Sequence, residues 1–168
     1  MQSFDRALLR TNRIALVAML AAMGVLVFAN VALRYLTGYS ILWVEEASRY
    51  LMIWLTFVGA GLVLRYGAHI GIDTLQERFP RHAAAIRAVL AGTLLVFFAA
   101  MIVLGVRYAM LAWSQTTPVL GIPVGAVYLA MPIGFALLAL HIVIMARPFI
   151  ARRHYLSDED FDGEAPKL

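Results

Sequence analysis

The chain has 168 residues, of which 62% are hydrophobic and only 14% are charged, and its mean hydropathy is +0.81. About a quarter of the residues in an average soluble domain are charged, so this composition excludes an ordinary soluble protein and indicates an integral membrane protein. The formal charge of +4 does not point to nucleic acid, because the basic residues lie along the edges of apolar runs. The absence of cysteine excludes disulfides and thiolate sites.

Four apolar runs are each long enough to cross a hydrocarbon core about 30 Å thick, which needs roughly 20 helical residues. The first is longer than the apolar core of a signal peptide, so we interpret it as a retained helix. The fold class is therefore an all-α integral membrane protein with four transmembrane helices. The predicted parts are a basic amphipathic N-terminus at 1–13, a membrane domain at 14–147 with spans at about 14–35, 43–65, 84–113 and 124–146, and an acidic, disordered tail at 148–168.

The distribution of basic residues predicts the orientation of these spans. Eleven of the fourteen Lys and Arg residues lie in the N-terminus, in the loop at 65–87 and in the segment that begins at Arg147. Because basic residues are retained on the cytoplasmic side, we expect both termini in the cytoplasm. The cytoplasmic loop places Ile72, Leu75 and Phe79 at helical spacing, which fits a short interfacial helix at 70–80 between spans 2 and 3 and leaves a solvated connector as the alternative.

Proline and glycine mark irregular backbone near the fourth span. Pro118, Gly121 and Pro123 predict a tight extracytoplasmic turn between the third and fourth spans. Pro132, near the middle of the fourth span, predicts a kink or a loosened helical turn.

Charged residues open the second span, where each unpaired charge is expensive. Glu45 and Arg49 are spaced i,i+4, and a carboxylate in a first helical turn is favoured by the helix dipole. Arg34 ends the preceding antiparallel helix and can face Glu45 or Glu46 across a short loop. We therefore predict a structural or subunit-docking charge cluster of Arg34, Glu45, Glu46 and Arg49. A proton or ion relay is the alternative, but it asks for carboxylates near the midplane.

Other polar and aromatic residues in the spans predict helix packing. Asn30 and His141 are strongly polar groups within apolar runs, and each is expected to bond a neighbouring helix rather than a ligand. Trp43 and Trp113 fit interfacial anchors. Trp54 lies about two turns inside the second span, where helix packing is the ordinary role and a subunit contact is the alternative.

Taken together, these residues resemble the small (Q) permease subunit of tripartite ATP-independent periplasmic (TRAP) transporters, the DctQ-like family. The resemblance covers about residues 10–147, and Asn30, Arg34, Tyr35, Trp43, Glu45, Glu46 and Trp54 fit the family pattern. The motifs that carry it are NVALRY at 30–35, WVEEASRYLMIW at 43–54, RYGAHIGIDTL at 65–75 and, within 113–140, GIPVGAVYLAMPIGFALLAL.

The resemblance implies a scaffold subunit of a secondary transporter in the bacterial inner membrane, and no enzyme. In such a transporter a periplasmic binding protein captures an organic acid, with C4-dicarboxylates as the default substrate. A large (M) elevator-type subunit then moves the acid in symport with sodium ions. The implied partners are the large subunit, the binding protein and membrane lipids, with no nucleic acid. The chain itself is expected to bind no cofactor or metal, since the sodium ions belong to the large subunit.

Two other classes of protein stay open on the residues alone. A cytochrome b type anchor of a redox enzyme is a four-helix bundle, but it needs paired histidines within the spans as haem ligands, and only His141 lies clearly inside one. A small four-helix drug exporter would need a carboxylate in the interior of a span, whereas Glu45 and Glu46 lie near its edge.

Overall fold

The computed structural model describes residues 2–65 and 82–152 of the chain, and within them the regular structure is helical. The expected interfacial helix at 70–80 and the tail from residue 153 onward lie outside the described residues. We number the helices in chain order. They are α1 (Gln2–Thr37), α2 (Leu42–Arg65), α3 (Ala83–Leu111), α4 (Val124–Tyr128) and α5 (Ala130–Arg152), with a short 3-10 turn at Ala112–Ser114.

The segments that are apolar and long enough to cross a membrane agree with the four predicted spans. They are Arg6–Thr37, Leu42–Leu64, Ala84–Ser114 and Val124–Ile144. The all-α, four-span fold is thus confirmed, while the orientation of the termini stays a prediction. Two boundaries differ. The N-terminus expected as a separate segment at 1–13 is continuous with the first helix from Gln2 onward, and residues 148–152, expected in the disordered tail, continue the last helix. At 36 residues α1 is about 54 Å long, so it extends beyond an apolar core of about 30 Å.

The connection between α1 and α2 is short and fixed by local hydrogen bonds. Gly38 ends α1 in a left-handed conformation (φ 75°), and its N–H donates to the carbonyl of Arg34 at 3.0 Å. Asn30 then stabilises the start of the next helix, because its Oδ1 accepts the N–H of Ile41 at 2.6 Å. This turn of a few residues makes α1 and α2 antiparallel neighbours.

The helices pack as a layer in the order α1, α2, α5, α3. Phe135 of α5 joins the central part, with its ring centroid 6.0 Å from that of Phe57 on α2 and 5.8 Å and 5.6 Å from those of Phe97 and Phe98 on α3. Beside it lies a buried apolar cluster of Leu64, Ala91, Phe98, Leu138 and Ile142. α1, at one edge of the layer, is the least covered, with only 6% of its most apolar window buried compared with 39% for the fourth span.

The helix of the fourth span is interrupted close to Pro132, as the sequence predicts. The helix breaks at Leu129, between α4 and α5, three residues before Pro132. Proline lacks an N–H and its ring crowds the carbonyl four residues earlier, which is that of Tyr128, the last residue of α4. The break is slight, because the N–H of Leu129 donates to Gly125 and that of Ile133 donates to Leu129. α4 and α5 therefore act as one span with a loosened turn.

Candidate functional site

A buried carboxylate near the start of α2 binds the backbone of a distant loop. Glu46 is 6% exposed. Its Oε2 accepts the N–H groups of Val119 and Leu120, both at 2.9 Å, and its Oε1 accepts the hydroxyl of Tyr50 at 2.5 Å. Because an ionised carboxylate forms stronger hydrogen bonds than a neutral acceptor, these contacts fasten the loop between α3 and α4 onto α2.

That loop is shaped so that two successive N–H groups are available to Glu46. Thr116 and Pro123 form an isolated antiparallel bridge, and the N–H of Thr117 donates to the carbonyl of Ile122 at 2.9 Å. Between them Gly121 adopts a left-handed conformation (φ 65°), which glycine accepts without steric cost. The predicted tight turn is present, and its central N–H groups bind the carboxylate.

Thr117 is the second buried polar residue at this position, at 4% exposed. Its hydroxyl accepts the N–H of Ile122 at 3.2 Å, so its side chain closes the same turn from within. We call the set of Glu46, Tyr50, Thr117 and the loop N–H groups of Val119 and Leu120 the loop anchor.

The other members of the predicted charge cluster lie elsewhere. Arg34, Glu45 and Arg49 are exposed, and within residues 2–65 and 82–152 no salt bridge joins them to one another or to Glu46. The guanidinium of Arg34 lies 5.9 Å from the centroid of the Tyr35 ring. The expected pairing of Arg34 with Glu45 or Glu46 is therefore not formed, because backbone N–H groups and Tyr50 take both oxygens of Glu46. The part that these residues play at a subunit interface stays a prediction.

The predicted packing residues divide into buried and exposed positions. Asn30 is 9% exposed and bonds the backbone that opens α2, while Tyr35 is 80% exposed at the end of α1. Trp43 is exposed and Trp54 is half-buried. Of the four, Asn30 alone has a polar contact that explains its place in the span.

A second polar position lies where α1, α2 and α5 meet, near the end of α2 opposite to the loop anchor. His141 is completely buried and Asn12 is 5% exposed. A Cβ placed on Gly61 would lie 3.0 Å from Nε2 of His141 and 3.7 Å from Nδ2 of Asn12, so the two side chains meet over this glycine. Sequence reasoning assigned Asn12 to the N-terminal segment and missed its burial. A signal was available, because Asn12 and Asn30 are 18 residues apart, five helical turns, and so share one face of α1.

Neither position gathers three or more side chains of the kinds that bind metal ions. In the part of the chain that the structure describes, no group of three or more His, Asp or Glu side chains could hold a metal ion. The loop anchor can fix a backbone segment, and Asn12, Gly61 and His141 lie in contact where three helices meet.

Comparison with known proteins gives a family match over most of the chain. The family model described as "Tripartite ATP-independent periplasmic transporters, DctQ component" matches residues 23–150. The matched range contains both Asn30 and the whole loop anchor.

Individual relatives agree with this match. The ectoine TRAP transporter small permease protein TeaB of Halomonas elongata is 31% identical over 157 residues, which are 87% of this chain and 80% of TeaB. The C4-dicarboxylate TRAP transporter small permease protein DctQ of Rhodobacter capsulatus is 31% identical over 68% of this chain and 52% of its own length. The isethionate TRAP transporter permease protein DctMQ of Oleidesulfovibrio alaskensis is 25% identical over 74% of this chain, which corresponds to 21% of that protein.

The family match decides against the two other classes of protein that the residues alone left open, the cytochrome b type anchor and the small drug exporter. It also fits the four apolar spans, which make the chain a multi-pass protein of the bacterial inner membrane. The chain belongs to the DctQ family, the small permease subunits of TRAP transporters, and is a transporter component and not an enzyme.

Proposed function

We propose that the chain is the scaffold subunit that supports a large elevator-type permease subunit in sodium-coupled uptake of an organic acid delivered by a periplasmic binding protein. The observation that carries this proposal is the loop anchor. Glu46 is the buried acid of the second span, and its two oxygens are engaged by the N–H groups of Val119 and Leu120 and by the hydroxyl of Tyr50. A carboxylate used in this way holds a loop and is poorly suited to pass ions.

The composition of the spans supports the same function. Between residues 14 and 65 and between 84 and 147, Glu45 and Glu46 are the only acids in the sequence, and both lie near one end of α2. Transporters that carry substrate and coupling ions place polar or charged groups near the bilayer midplane, often at broken helices. The interruption at Leu129 is a slight one beside Pro132, with no acid in that span. We therefore assign the sodium ions to the large subunit and no cofactor to this chain.

The partner in this proposal is a large (M) permease subunit. A relative whose name joins M and Q in a single permease protein supports the idea that the two parts work side by side. The binding protein enters the proposal because the family is described as periplasmic transporters.

The substrate is proposed only as a class, an organic acid. Relatives of similar identity carry the names of ectoine and C4-dicarboxylate transporters, and a more distant one carries that of isethionate. This spread supports a small subunit that does not select the substrate. C4-dicarboxylates are the default to test first.

Uptake into proteoliposomes tests this function. Vesicles would contain the large subunit with this chain, without it, or with the small subunit of a related transporter that still assembles, and the binding protein would be supplied outside. We expect uptake to be lost or greatly reduced without this chain, and to keep its substrate preference and sodium dependence after the exchange. A changed preference after the exchange would show that the small subunit lines the transport path.

A further inference from the structure

One face of α2 carries two exposed charged side chains, those of Glu45 and Arg49. Glu45, Arg49, Met52 and Thr56 are all exposed and follow one another at intervals of three or four residues. Leu42, one turn before them, and Val63, two turns after them, are exposed on the same side, at 72% and 43%. We call these six residues the charged face of α2.

The two neighbours of α2 in the layer leave Glu45, Arg49, Met52 and Thr56 exposed, whereas Gly59, between Thr56 and Val63, is half-buried beside α1. Towards α1, the missing Cβ of Gly59 would lie 3.5 Å from a methyl carbon of Leu16. Towards α5, Phe57 packs against Gly134 and Gly61 packs against His141. Helical rotation of about 100° per residue turns Phe57 and Gly61 roughly 120° and 160° away from Glu45, whereas Gly59 lies only about 40° from it. α1 therefore borders the face on one side, while Glu45 and Arg49 themselves stay exposed. Within the described ranges, 2–65 and 82–152, no salt bridge is formed by either residue.

Lipid is a poor environment for such a face. Arg49 lies seven residues after Leu42, the first residue of the span, which places its Cα about 10 Å along the helix axis from the start. Ionisable side chains within membrane spans almost always face other protein or a water-filled cavity and pair with opposite charges. The exposed side chains of α1 between residues 14 and 33 and of α3 between residues 88 and 106 have no such requirement, because these segments carry no charge and suit lipid tails. Arg107 of α3 is also exposed, but it has no acidic residue at i±3 or i±4, so α2 is the span that presents charges of both signs on one face.

We infer that the charged face of α2 is the surface on which the large permease subunit docks, through a transmembrane helix that places an acidic side chain opposite Arg49 and a basic one opposite Glu45. The inference rests on the proposed function and adds the location and the charge pattern of the contact. It separates Glu46 from Glu45, since Glu46 binds its own loop and only Glu45 is available to a partner.

Photocrosslinking from this face tests the location. A photoreactive amino acid would replace Met52, which is 54% exposed on the charged face, or Val96, a control that is 72% exposed on α3. The complex of the chain with its large subunit would be irradiated in the membrane. We expect crosslinks to the large subunit from position 52. Lipid adducts alone from position 52, or crosslinks to the large subunit from position 96 only, would overturn the inference.

A charge exchange tests the chemistry. The double variant Glu45→Arg with Arg49→Glu keeps the net charge and the i,i+4 spacing, so lipid headgroups or water would tolerate it. A partner that places an acidic group opposite Arg49 and a basic group opposite Glu45 would be repelled by the exchanged charges. We therefore expect co-purification with the large subunit to fall about tenfold or more, as coupling between close charges across interfaces implies. Arg49→Lys should keep co-purification. Membrane yield and a single elution peak of the variant would show that it still folds.

The outcomes separate this inference from the proposed function. If the unaltered chain does not co-purify with the large subunit, the proposed function fails together with the inference. If the unaltered chain co-purifies and the charge exchange has no effect, the chain is still a scaffold but the large subunit does not dock on this face.

Discussion

At the scale of single residues, two adjacent glutamates have opposite environments. One helical step turns the side chain by about 100°, so Glu45 is exposed while Glu46 is buried and bonded to the N–H groups of the loop at Val119 and Leu120. Charge pairing was a reasonable expectation for Glu46, because its neighbours in sequence are charged. Its actual partners are neutral backbone groups 73 and 74 residues away, and no rule of local spacing predicts them.

The pair of glutamates offers a matched comparison for the loop anchor. Glu46→Gln should lower the midpoint of thermal unfolding of the detergent-solubilised chain by several degrees, because an amide group next to donors leaves part of them without an acceptor. Glu45→Gln, the control, should leave the midpoint almost unchanged, since exposed substitutions rarely matter. Equal midpoints for the two variants would mean that the contacts of Glu46 with the loop contribute nothing to stability.

Tyr50 provides a second test at the same site. Tyr50→Phe removes the hydroxyl that bonds Oε1 of Glu46 and leaves the two backbone bonds to Oε2 intact. We expect a smaller fall in the midpoint than for Glu46→Gln. Because the two residues are in direct contact, the double variant should lose less than the sum of the single losses. A strictly additive result in this double-mutant cycle would show that Tyr50 and Glu46 act independently.

At the scale of the helices, contacts through glycine determine how closely α5 approaches its neighbours. A Cβ on Gly134 would lie 2.7 Å from both the carbonyl oxygen and the Cβ of Phe57, and one on Gly105 would lie 2.9 Å from Cδ of Pro132. Backbone and ring atoms cannot move aside as the end of a flexible side chain can. The layer order α1, α2, α5, α3 therefore depends on residues that a hydrophobicity pattern treats as neutral.

Gly134 gives the prediction at this scale. Gly134→Ala should destabilise the chain by about 1 to 3 kcal/mol, the usual cost of forcing an extra methyl group into a well-packed contact. Gly92→Ala is the control, because a Cβ there has no atom within 4 Å and alanine is a better helix former than glycine. Unfolding of the two variants in a denaturing detergent measures the difference. Equal stabilities would mean that α2 and α5 are less tightly packed than the contact at Phe57 indicates.

At the scale of the whole molecule, the sequence predicts the spans well and the order of the helices poorly. Apolar runs alone locate the four spans, because a bilayer core demands a length that few other structures need. Which helices become neighbours depends on close contacts such as Phe57 against Gly134 and on the joint of Asn12, Gly61 and His141. These contacts join residues far apart in sequence. The family resemblance was visible from its motifs, but the motifs did not reveal which of its glutamates is buried.

Orientation is the remaining property of the whole molecule, and it follows from charge. With eleven of fourteen basic residues in the two terminal segments and the loop at 65–87, the turns after α1 and before α4 should face the periplasm.

Tyr39 and Val119 are suitable labelling positions there, at 77% and 52% exposed, whereas Thr117 is buried and its hydroxyl bonds the loop. Single cysteines at positions 39 and 119 should react in intact cells with a thiol reagent that cannot cross the membrane, because native cysteines are absent. A cysteine at Gly71 should react only after the cells are permeabilised. Labelling of position 71 in intact cells, with positions 39 and 119 protected, would reverse the orientation and place the loop anchor on the cytoplasmic side.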